Sequence, residues 1–173
     1  MTLYIRLLLA GVATFAFYRA GSLYGLQYVD RQRQLRELRS SLRALETEVV
    51  YGRTTLGSAF GRLAALDLGA GGVLFAAMAR ELAGVASARE AWLAALEATS
   101  AQLALNEEDR GILASLASCL GQSDPADQAA HLALVREMLD ERHSQAAEEA
   151  RRNGRLWSYL GGLAGLGMVL LVF

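Results

Sequence analysis

The chain has 173 residues, room for one ordinary domain, and a formal net charge of −1, which excludes a global bias toward nucleic acid or an acidic partner. Its one cysteine, Cys119, excludes an internal disulfide and gives no sign of an oxidising compartment. Hydrophobic residues reach 53% and collect at the two ends, the pattern of a soluble domain between membrane segments.

All 17 basic residues are arginine, which reads as codon bias, with a preference for fork-like donors as the lesser alternative. The N-terminal stretch "LYIRLLLAGVATFAFYRAGSLYGLQYV" holds an apolar run between Arg6 and Arg19 that resumes to Val29. Snorkelling of both arginines makes residues 1–29 a retained membrane anchor. The rival is a cleaved signal peptide, but no small-x-small site is evident.

"RQRQLRELRSSLRALETEVVYG" carries Leu35, Leu38, Leu42, Leu45 and Val49 at alternating spacings of three and four, a helix with one narrow apolar seam. Arginines with Glu37, Glu46 and Glu48 take the other faces, and Gly52 ends the helix. "TTLGSAFGRLAALDL" is a shorter helix capped by Thr54 or Thr55. "GAGG", Gly69 to Gly72, reads as a turn, and "VLFAAMARELAG" as a third helix closed by Gly84. Ser87 and Glu90 form a capping box before "AWLAALEATSAQL". Asn106 caps the next helix, with Glu107, Glu108 and Asp109 complementing its dipole. Gly121 stops it. Asp124 then caps a last helix that has Pro125, the only proline, at its start.

The C-terminal run Leu156 to Phe173 has no charge and is long enough to span a bilayer, with Trp157 and Tyr159 at the interface. Gly161 and Gly165 form a GxxxG face for close helix packing. Arginines flank both apolar segments on the inner side, at Arg31, Arg33, Arg36 and Arg39 and again at Arg151, Arg152 and Arg155. The positive-inside rule therefore puts residues 30–153 in the cytosol. The expected fold is all-α: an antiparallel bundle of about six helices whose first and last members continue into terminal transmembrane segments, 1–29 and 154–173.

No catalytic constellation stands out. His131 and His143 lack zinc-helix spacing, and there is no phosphate-binding GxxxxGK[ST] loop. "NEEDR" reads as helix-dipole chemistry, and Cys119 as a small core residue. The run Arg31 to Arg43 reads as topology and lipid-headgroup contact rather than nucleic-acid binding, since no aromatic platform accompanies it. No cofactor and no small-molecule substrate is indicated.

"RQRQLRELRSSLRALETEVVYGRTTL" resembles the signature of the stage III sporulation protein AB family. That signature is a membrane segment, an Arg-Gln-rich helix, an "LE-x-E-[IV]-x-Y" stretch, here Leu45, Glu46, Glu48, Val49 and Tyr51, and a "TPL" turn, here Thr54 to Leu56. "AREAW" (Ala88 to Trp92), "LGQSD" (Leu120 to Asp124) with Gln128 and His131, and "LGGLAGLGMVLLV" agree in order and spacing. Thr55 departs from the family's usual Pro, which loosens the turn without abolishing the fold.

The resemblance implies a place in the channel apparatus between mother cell and forespore. It also implies a helical domain similar to the cytoplasmic domains of the type II secretion F component. The implied role is a non-enzymatic platform in the mother-cell membrane around the forespore. It would dock a stage III sporulation protein AA-like ATPase and meet other membrane subunits and lipid. Arg36, Arg39, Arg43, Glu46 and Glu48 are the expected docking face, with Gly121, Gln122, Ser123 and Asp124 as a second one. A plainer reading pairs Glu46 and Glu48 with Arg43 or Arg53 along the helix. The alternatives are a membrane scaffold that touches no ATPase and a secreted or periplasmic bundle.

Overall fold

Leu35, Leu38, Leu42 and Leu45 are all fully buried in the computed structural model of the chain, so the seam read from their spacing is the seam that packs. The structure describes residues 2–52, 55–84, 87–121 and 124–172, with side chains over 26–52, 55–84, 87–121 and 124–152. Among the described residues there are six α-helices and no strand: α1 (Thr2–Tyr51), α2 (Leu56–Ala64), α3 (Ala70–Glu81), α4 (Ala88–Ala98), α5 (Glu107–Ala114) and α6 (Pro125–Val172), with a 3-10 turn at Ser115–Ser118.

The chain divides into two units. One is residues 31–144; the other joins residues 1–30 to 145–173. No helix among the described residues is long and apolar enough to cross a membrane. The side chains of 1–25 and 153–173, where the two expected spans and the Gly161/Gly165 face fall, lie outside those residues.

Within 31–144, α2 packs on α3, and α3 on α4. Phe60, Phe75 and Trp92 meet there, all fully buried, with Phe60 edge-on to Phe75 at 5.3 Å between centroids and 6.1 Å from Trp92. Burying rings of this size is worth roughly 1.5–3 kcal/mol apiece. The indole N–H of Trp92 donates to the Leu113 carbonyl at 2.7 Å, so the polar end of the ring is satisfied and the last turn of α5 is tied to α4.

The helix starts follow capping chemistry. Thr55 caps α2 by accepting from the Ser58 N–H, and Thr54 lies outside the described residues; Ser87 accepts from the Glu90 N–H. Asn106 and Asp109 form a reciprocal box on α5. Asp124 accepts from the Ala126 N–H at the start of α6.

Gly69 to Gly72 corrects the expectation of a turn: α3 begins at Ala70, and only Gly69 lies outside it. Gly69 has φ +55 and no side chain to cap with. Its place is taken by Glu37 of α1, whose carboxylate accepts from the Ala70 N–H at 2.8 Å. A Cβ at Gly71 would overlap the Ser41 hydroxyl, so glycine is what lets α3 close on α1.

Candidate functional site

Ion pairs fix how α1 and α6 lie against each other in the 31–144 unit. Arg39 pairs with Asp140, and Glu46 with Arg136. Rising numbers on α1 meet falling numbers on α6, so the helices run antiparallel. Between them lies a cleft of about 440 Å³ lined by Arg39, Ser40, Arg43, Arg136, Glu137 and Asp140.

Near the end of the unit where α1 enters and α6 leaves, both helices converge on Asp109 of α5, which is fully buried. Arg31 grips it with two bonds, Nε to Oδ2 at 2.7 Å and a terminal nitrogen to Oδ1 at 3.0 Å. Arg142 donates its Nε to Oδ1 at 3.0 Å and also meets Glu108. Asn106 adds its backbone N–H at 3.2 Å. Burial alone would raise the Asp109 pKa. The bonds from Arg31 and Arg142, the Arg31 charge and the Asn106 N–H outweigh it and hold the carboxyl below its ordinary 3.8. Asp109 is therefore a buried anion clasped by two guanidiniums, each supplied by a different long helix.

This corrects two expectations. "NEEDR" does more than complement a helix dipole, and Arg31 is only 8% exposed, so it is a structural cation and not a headgroup contact. The one local signal for Asp109 was its position three residues after Asn106, which fixes its orientation. Its partners lie 78 and 33 residues away and carry no local signature.

The expected docking residues separate into two groups. Arg36 and Arg43 stand exposed on α1. Arg39 is exposed but engaged with Asp140. Glu46 pairs with Arg136 and Glu48 with Arg62, both across helices, in place of the expected pairing with Arg43 along α1; Arg53 lies outside the described residues. Gly121 turns the chain at φ +76, and Asp124 is exposed; Gln122 and Ser123 lie outside the described residues. Gly161 and Gly165 lie outside those with described side chains.

His143 is half-buried beside α1. Burial, then the charges of Arg39 and Arg36, lower its pKa from 6.5. His131, on the same helix, has a buried Nε2 without a hydrogen-bond partner among the described residues. No group of metal-ligating side chains converges among the described residues. Cys119 is buried, as expected, and its burial raises the thiol pKa.

The family model described as stage III sporulation protein AB matches residues 6–173. The chain is 32% identical over 146 residues to the stage III sporulation protein AB of Bacillus subtilis (strain 168), covering 84% of this chain and 85% of that protein. A solved structure of a stage III sporulation protein AB superposes with a TM-score of 0.64 at 31% identity, over 70% of this chain and 97% of that one. An all-helical bundle, the quoted signature and a match over almost the whole length agree, and the chain belongs to the stage III sporulation protein AB family.

Proposed function

We propose that the chain is a non-enzymatic membrane platform of the sporulation channel. Residues 30–153 sit in the mother-cell cytosol. The apolar ends, 1–29 and 154–173, lie in the membrane around the forespore, in contact with lipid and with other channel subunits, and the Gly161/Gly165 face packs against a neighbouring helix. The bundle docks a stage III sporulation protein AA-like ATPase and passes position or motion to the membrane partners.

The supporting observation is the division of the charges along α1. Glu46, Glu48 and Arg39 are paired with other residues of the bundle, while Arg36 and Arg43 face outward. Outward arginines beside a largely neutralised cleft suit an acidic protein surface, because a guanidinium offers several donors to a carboxylate. The Gly121–Asp124 loop is a second contact. Family membership supports the sporulation setting.

The test is retention of the ATPase by the full-length chain in detergent at low salt. Retention that is lost in Arg36→Glu/Arg43→Glu supports docking through this face. No retention at any salt leaves a scaffold that does not meet the ATPase.

A further inference from the structure

The floor and the banks of the α1–α6 cleft differ in charge. On the floor, Arg39 and Arg136 are neutralised by Asp140 and Glu46. On the α1 bank stand Arg36 and Arg43; on the α6 bank stand Glu137 and Glu141, all four exposed, with Glu141 also engaged within its own chain. Leu134, 52% exposed, sits beside Glu137 and gives the acidic bank apolar surface to bury.

A face with one positive and one negative bank is complementary to itself, and its charges choose between two symmetric arrangements. A two-fold axis across the helices would lay α1 on the α1 of a second copy, arginine against arginine. An axis parallel to the helices lays α1 of each copy over α6 of the other, with opposite charges in contact throughout. The pairs Arg39–Asp140 and Glu46–Arg136 put Arg43 nearly level with Glu137 along the helix axes, so this rotation brings the two together without any slide. It also points the Arg31 and Ser144 ends of both copies the same way.

We propose that this face binds a second copy of the chain about a two-fold axis parallel to α1 and α6, with Arg43 and Arg36 of each copy against Glu137 and Glu141 of the other. The inference does not rest on the ATPase. Arg36 and Arg43 serve one occupant at a time, and the second copy is the occupant whose complement the chain itself carries.

The experiment measures the mass of the full-length chain in detergent micelles by light scattering, at low salt and at protein concentrations on the order of 100 μM, where weak surface contacts populate. The wild-type chain is expected to be a dimer that loosens as salt is added. Arg36→Glu/Arg43→Glu and Glu137→Arg/Glu141→Arg should each weaken self-association by more than about tenfold. Mixing the two variants should restore a mixed dimer, because each acidic α1 then meets a basic α6 and each native pair survives in the other contact. A wild-type monomer overturns the proposal. So do reversals that leave the dimer intact, the result a contact through Gly161 and Gly165 would give, and a mixture that fails to pair. Circular dichroism checks that the variants fold; should a reversal not fold, Arg43→Gln and Glu137→Gln carry the same test with smaller losses expected.

Discussion

Asp109→Asn keeps the shape of the side chain and removes its charge. Asparagine still accepts from the Asn106 N–H, so the α5 cap survives. The loss falls on Arg31 and Arg142, whose side chains are only 9% and 18% exposed and would face each other without the anion between them. Removing one partner of a buried ion pair costs about 3–5 kcal/mol, most of it from the stranded charge. At about 4 °C per kcal/mol for a bundle of this size, the melting temperature should fall by about 12–20 °C. Thermal unfolding followed by circular dichroism on the full chain in detergent measures it. The exposed pair is the internal standard: Arg39→Ala/Asp140→Ala should cost no more than about 1 kcal/mol. Replacing all three members of the clasp with Met or Leu should recover most of the loss. A drop for Asp109→Asn no larger than that of the exposed pair would refute the clasp as a buried, mutually dependent set.

Gly71→Ala should destabilise by about 1–3 kcal/mol through overlap with Ser41, and Ser41→Gly in the same chain should relieve most of it; chemical denaturation decides, and an unrelieved loss points elsewhere. Two groups predict the acid side of the stability curve. His143 has a lowered folded pKa, so its contribution is complete above 6.5 and is lost as pH falls through the folded value; His143→Gln should flatten the curve in that window, and an unchanged slope counts against the assignment. Asp109 acts likewise lower down: its contribution is present above 3.8 and is lost as pH falls through its depressed folded value, so the wild-type chain but not Asp109→Asn should show that further loss. Cys119, buried and with a raised pKa, should react with a thiol reagent roughly a hundredfold more slowly in the native chain than in denaturant. Equal rates would place it at the surface.

Local chemistry made much of this fold legible. The leucine seam of α1, the Asn106 box and the Asp124–Pro125 start depend on residues within a few positions of one another, where spacing carries the physical content. The ion pairs do not. Glu46 meets Arg136 across 90 residues, and nothing near Glu46 distinguishes that partner from Arg43 on its own helix. Gly69 to Gly72 misled because a run of glycines reads as a turn unless a cap is supplied from outside, and Glu37 supplies it from a separate helix. Arg31 and Arg36 look alike in sequence, but one is sunk against Asp109 and the other faces outward; only the packing of α5 separates them.

The two cross-helix pairs also have a mechanical consequence. In the first, α1 supplies the cation; in the second, it supplies the anion. Sliding α6 by about 10 Å, the rise of the seven residues from Arg39 to Glu46 on α1, would bring Arg136 to Arg39 or Asp140 to Glu46, like charge against like. The alternation works as light toothing, each exposed tooth worth no more than about 1 kcal/mol, laid over the packed leucine seam. A pull on either rail is handed to the other instead of being dissipated in slippage, so within the bundle the two long helices travel as a single strut.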